Sequence, residues 1–237
     1  MHIDQISFSS EKYPTDNAYP FDMPVFRETK IIPLNKNVTF FIGENGSGKS
    51  TLLKALAYRC RIHIWEGIQK TRYQYSPYED KLYKYIDVNW TDEIVPGSFF
   101  SVENFRSYSQ TVDSWAAALP SMLDEYGGRS LVAQSHGQSL MAYFTSRYNR
   151  KGLYLLDEPE TALSPKHQIE LLNLIHRLGK NGDAQFIIAT HSPILLACLG
   201  ADIFCFDRVP VGLIEYEQTE YYRVYKEFLS APETFIN

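Results

Sequence analysis

Cysteine is scarce in this sequence: Cys60, Cys198 and Cys205 are the only three in 237 residues, and they show no paired spacing. That argues against a disulfide-stapled scaffold or a metal site built on thiolates and points to reduced, buried thiols. Long apolar runs are missing as well. The longest, around Ile194 to Leu199, falls far short of the ~18 residues that a membrane span needs, so no membrane insertion is expected. The opening MHIDQISFSSEKYP has no basic segment followed by an apolar one. A secretory leader is therefore not expected, and a cytoplasmic location is. Strong charge of either sign is absent too, with Lys+Arg 23 against Asp+Glu 28 and a net −5. Uniform coating for nucleic acid is unsupported, although an average hides a local basic patch.

What is present is ordinary globular material, 44% hydrophobic and 22% charged, enough for a sizeable core. The length suits a single α/β domain over 1–237 with an inserted lobe. Val38 to Ile42 is a β-branched and aromatic run ending in glycine, the pattern of a buried strand. Ser50 to Tyr58 carries Leu52, Leu53, Leu56 and Ala57 at helical spacing. Further strands are expected at Leu153 to Leu156, Gln185 to Thr190 and Ile203 to Phe206. Ser164-Pro165 offers an N-cap and a first-turn proline for a helix with Ile169, Leu172, Leu174, Ile175 and Leu178, stopping near Gly179. Apolar strands alternating with amphipathic helices predict a largely parallel sheet flanked by helices. The interval from about 61 to 150 breaks the rhythm and is expected to be a mainly helical lobe. Thr219 to Leu229 is expected to be one more amphipathic helix.

Gly43-Glu44-Asn45-Gly46-Ser47-Gly48-Lys49-Ser50 fits the phosphate-loop pattern G-x-x-x-x-G-K-[ST] between that first strand and its helix. The glycines let backbone N–H groups converge on phosphate oxygens, and the helix that follows adds its positive end. Lys49 is expected to bridge the β- and γ-phosphates of ATP, and Ser50 to ligate Mg²⁺. Gly152 to Glu160 is an apolar strand ending in carboxylates. Asp157 is placed to hold Mg²⁺, and Glu158 to polarise the attacking water as general base.

With LLDEPE as an extended Walker B motif, the chain resembles the ATP-binding cassette (ABC-type) ATPases. Thr161-Ala162-Leu163-Ser164 lies where that family has its D-loop, and Thr190-His191-Ser192 resembles its switch histidine. Gln134-Ser135-His136-Gly137-Gln138-Ser139, standing 22 residues before Asp157 when counted from Ser135, resembles the signature motif, usually LSGGQ. Ser135, Gly137 and Gln138 match it, whereas Gln134 replaces leucine and His136 the first glycine. The likeness is greatest to small, stand-alone soluble bacterial ATPases related to the chromosome-maintenance and break-repair branch; Thr219-Glu220-Tyr221-Tyr222 resembles a helix start found there.

The resemblance implies ATP bound by Gly43 to Thr51 of one subunit and sealed by Ser135 to Gln138 of another in a homodimer. Glu158, His191 and Lys49 would then carry the catalysis. It leaves three uses open: a soluble motor or switch with a protein partner, the nucleotide-binding subunit of a transporter, or a non-hydrolysing clamp on an effector. Glu103 lies roughly where the family has its Q-loop glutamine and would add a third Mg²⁺ ligand. Tyr19, Phe21 and Phe26 are alternatives for stacking on adenine, with core packing equally open for each. Tyr73, Tyr75, Tyr78, Tyr83 and Tyr85 interleave with Lys70, Arg72, Lys81 and Lys84. That pattern suits single-stranded nucleic acid, protein docking or simple packing.

Overall fold

The computed structural model describes residues 1–65 and 76–236. In chain order its elements are β1 (Ile3–Phe8), α1 (Pro24–Glu28), β2 (Ile31–Pro33), β3 (Val38–Ile42), α2 (Lys49–Arg59), β4 (Ile86–Trp90) and β5 (Gly97–Ser101). Then come α3 (Val102–Ala116), α4 (His136–Tyr148), β6 (Gly152–Asp157), α5 (Pro165–Asn181), β7 (Ala184–Ala189), α6 (Pro193–Leu196), β8 (Asp202–Cys205), β9 (Gly212–Leu213) and α7 (Glu220–Ser230).

Six strands form the main sheet in the order β5-β6-β7-β3-β8-β9, parallel except where β9 turns back on β8. A smaller antiparallel sheet, β2-β1-β4, lies to one side. Strict alternation along the central strands builds two cores. Phe40, Tyr154, Leu156, Phe186 and Ile188 face α3, α4 and α5, while Phe41, Leu153, Leu155 and Ile187 face α2 and the small sheet. A parallel strand buried on both faces reads as a continuous apolar run, which is why these strands were visible without their partners.

Helix α5 starts as expected: Ser164 Oγ accepts from His167 N, Pro165 takes the first turn, and Gly182 closes the far end with a left-handed φ of 83°. Its inward stripe is Leu171, Leu174, Ile175 and Leu178. Ile169 is 49% exposed, because it sits two residues, about 200° of helical rotation, from the start of that stripe.

The interval from 61 to 150 is woven into both sheets before it turns helical. β4 pairs with β1, β5 pairs with β6, and among the described residues of the interval the α-helices lie within 102–148. An aromatic cluster of Phe100, Phe105, Tyr143, Phe144 and Tyr148 fastens that helical block to the sheet. Tyr78 and Tyr85 edge onto Phe21, and Tyr83 packs on Tyr58, so these members of the tyrosine stretch serve packing. Lys70, Arg72, Tyr73 and Tyr75 lie outside the described residues. The three cysteines are free and buried; burial pushes the thiols of Cys60 and Cys198 up to about 12 and about 11.

Candidate functional site

The loop between β3 and α2 owes its course to glycine. Gly48 has φ 104°, and a Cβ there would meet Phe26 Cζ at 2.9 Å. Gly43, at φ 145°, leaves no room between Asp207 and Ser47. The same Asp207, following the apolar β8, accepts from Glu44 N at 2.8 Å and pins the loop's first turn. That repeats the pattern of apolar strand followed by acid seen at β6, a signal that could have disclosed it in the sequence. Lys49 is buried, and its ammonium donates to the carbonyls of Gly43 at 2.6 Å and Glu44 at 2.9 Å. Burial lowers its pKa, against the pull of Glu158, Asp207, Asp157 and Glu44. The first N–H groups of α2 point out of the helix beside it without helical acceptors.

Ser50 Oγ donates to Asp157 Oδ1 at 2.8 Å, joining the helix start to the end of β6. Burial, the largest influence, raises the Asp157 carboxyl above its ordinary value; Ser50 opposes the shift and the charge of Glu158 adds to it. A hydroxyl and a desolvated carboxylate are hard oxygen donors of the kind that fit Mg²⁺. Glu103 is not drawn in: it is exposed in the first turn of α3, and no hydrogen bond ties it to Ser50 or Asp157. Among the described residues no three His, Cys, Asp or Glu side chains form a metal cage.

A carboxyl raised by folding binds its proton better in the native state than unfolded. The fold therefore loses stability as pH climbs from the ordinary 3.8 through the raised value, and above both the full cost is in force. Asp157→Asn, which keeps an acceptor for Ser50, is expected to melt higher than wild type at pH 7 without nucleotide. Calorimetry should find that gap closing as the pH falls toward the ordinary carboxyl range; equal melting at pH 7 would contradict the burial cost.

Glu158 adopts φ 47°, a left-handed conformation that costs a non-glycine residue about 1–2 kcal/mol and clusters at functional sites. Its Oε1 lies 3.3 Å from His191 Nε2, and its side chain is 41% exposed. His191 follows the end of β7. Its backbone N–H donates to Glu160 Oε1 at 2.7 Å and its Nδ1 meets Tyr221 OH at 2.7 Å. Burial raises the Glu160 carboxyl, against the hydrogen bonds it takes from His191 N and the Thr190 side chain. Glu160 is the last acid of the LLDEPE run, and nothing in the linear pattern sets it apart from Asp157 and Glu158.

Ser135 is the N-cap of α4, yet its side chain makes no capping bond; Ser135, His136 and Gln138 are all exposed. Gly137 is needed where it stands, since a Cβ would meet His167 Nδ1 of α5 at 2.5 Å. Of the three aromatics open for adenine, Phe21 and Phe26 are fully buried in the core. Tyr19 alone is accessible, 39% exposed, with its hydroxyl 2.6 Å from Thr51 Oγ1 beside a groove lined by Ser50 and Lys54.

Two family models match parts of the chain: residues 23–60 fit an AAA domain, and residues 130–197 fit "AAA domain, putative AbiEii toxin, Type IV TA system". The Petrobactin import ATP-binding protein FpuD of Bacillus anthracis is 26% identical over 70% of this chain and 65% of its own length. The Hemin import ATP-binding protein HmuV of Rhodopseudomonas palustris is 30% identical over 68% of this chain and 65% of its own. The chain thus spans slightly under two thirds of the length of these relatives. In structure it resembles CbiO1 of Clostridium perfringens, part of the ABC transporter complex cbiONQ, at TM-score 0.52 and 18% identity over 99% of this chain and 98% of that one. This is an ABC ATPase-type P-loop domain. The cassette fold accounts for both sheets and the helical block, and relatives named as ATP-binding proteins account for the loop at Gly43. Among the described residues no helix is long and apolar enough to cross a membrane.

Proposed function

We propose that the chain, as one cassette domain in the cytoplasm, binds and hydrolyses ATP with Mg²⁺ between two copies arranged head to tail, and passes the resulting motion to a partner protein. One observation supports this above others. Lys49, Ser50, Asp157, Glu158 and His191 gather on one chain, while Ser135 and Gln138, exposed and without a capping role, are left for a second. Gly43 to Thr51 hold the phosphates, and Lys49 exchanges its two loop carbonyls for phosphate oxygens. Mg²⁺ at Ser50 and Asp157 would neutralise phosphate charge. Glu158 takes the proton of the attacking water, and His191 and Lys49 face the charge developing on the transferred group.

Mixing two inactive variants tests this. In a head-to-tail pair of Lys49→Ala with Ser135→Arg, one composite site carries both defects and the other carries neither. Each variant alone is expected to release almost no phosphate, and the mixture to recover a substantial part of the wild-type rate. No recovery from a mixture of folded variants would overturn the shared site.

A second reading, the nucleotide-binding subunit of a membrane importer, is supported by the relatives, which are import ATP-binding proteins. Phosphate release by the pure protein in detergent-free buffer, at a rate unchanged by membranes, would favour the first.

A further inference from the structure

We propose that Tyr221 is the positioning residue for His191, its hydroxyl holding the ring's Nδ1 and tying it to the phosphate loop through the Gly43 carbonyl. This rests on ATP hydrolysis at the site described above. Tyr221 OH donates to Gly43 O at 3.1 Å and lies 2.7 Å from His191 Nδ1. A carbonyl only accepts, and a hydroxyl has one proton to give. Shared between Gly43 O and Nδ1, that proton ties the ring to the loop, and in either tautomer the hydroxyl oxygen fixes the position of Nδ1. Of the two ring orientations, the Nδ1 contact selects the one that turns Nε2 to Glu158, 3.3 Å from Oε1 and with no hydrogen-bond partner of its own. Burial pushes the Tyr221 hydroxyl up to about 12, so it stays a donor at neutral pH.

No residue of α7 is fully buried, and Tyr221, half-buried at the edge of the main core, would keep its packing as a phenylalanine. Its rings contact is a T-shaped approach to His191 at 5.3 Å, which a phenylalanine would keep. The helix is aimed from outside by Thr219, fully buried, whose Oγ1 accepts from Tyr222 N at 3.2 Å and donates to Tyr216 O at 2.7 Å. Gly43 O meanwhile has two donors, Lys49 and Tyr221. When phosphates draw Lys49 away, Tyr221 keeps the carbonyl paired. Loop, switch histidine and α7 are therefore joined by a single hydroxyl.

Tyr221→Phe tests this because it deletes only that oxygen. kcat for ATP is expected to fall about 10- to 100-fold, the range for a reacting group that loses its orienting partner, with KM nearly unchanged. Histidine-selective ¹H–¹⁵N spectra, with His191 assigned by its loss in His191→Gln, are expected to show one tautomer in wild type and a mixture of both in Tyr221→Phe. Identical His191 shifts in the two proteins would overturn the proposal, as would an unchanged kcat. So would kcat and KM worsening together with a lower melting temperature, the mark of lost packing. Should wild type release no phosphate, hydrolysis itself fails, and the histidine spectra still decide the role of Tyr221.

Discussion

Glu158→Gln is expected to slow ATP hydrolysis by about 10²- to 10⁴-fold, the contribution of a positioned general base, without loosening ATP. Glutamine matches glutamate in shape, and the strained backbone at φ 47° that aims the side chain is unaltered. What disappears is the ability to accept a proton from water. The phosphate-binding contacts of Lys49 and Ser50 lie on other elements and survive. If hydrolysis is what opens a pair of protomers, stalling it leaves them closed. Sedimentation of the variant with ATP and Mg²⁺ should give a stable dimer, and phosphate release should be close to background. A variant that hydrolyses at the wild-type rate would remove Glu158 from the mechanism; one that stays monomeric with bound ATP would remove the dimer.

Gln185→Ala is expected to cost about 3 kcal/mol of stability, a large effect for a residue outside the candidate site. Gln185 is fully buried on β7. Its Oε1 accepts from the backbone N–H of His2 and of Ile3, both at 2.8 Å, and its Nε2 donates to Ile3 O at 2.7 Å. The side chain thus stitches the start of β1 to the central strand of the main sheet, where no ladder bond reaches. Truncation strands three buried backbone groups at about 1 kcal/mol or more each. For a chain of this size the melting temperature should fall by about 6–12 °C. Thermal unfolding followed by circular dichroism would measure it, and a shift within about 2 °C would show that water replaces the amide.

How much of this was legible beforehand depended on whether a feature is local. The loop at Gly43, its strand and its helix are contiguous, and the glycines at 43 and 48 are demanded by backbone angles that the residue type itself signals. The doubly buried strands announce themselves as apolar runs, and Ser164-Pro165 encodes its own helix start. By contrast β1 and β2, in the small sheet, escaped notice. β2 has only three residues, and β1 mixes polar and apolar residues without a clean alternation. Ile169 was misassigned because a helix with extra apolar residues offers more than one plausible stripe. Glu103 was placed by chain position alone; the sheet register sets Ser101, two residues before it, beside Asp157, yet the Glu103 side chain is exposed in the next turn and not bonded to Ser50 or Asp157.

From the linear chain alone came the phosphate loop, the carboxylates ending β6, the histidine ending β7 and the alternating layers. These rest on backbone geometry and periodicity over a few neighbouring residues. Only the tertiary structure decided that Tyr19 and not Phe21 or Phe26 is accessible, that Gln185 ties two sheets together, and that Tyr221 reaches both His191 and Gly43. Those pairings span 30 to 183 positions of chain. A hydrogen bond between such distant residues leaves no periodic trace, because it is set by how the layers stack and not by the local course of the backbone.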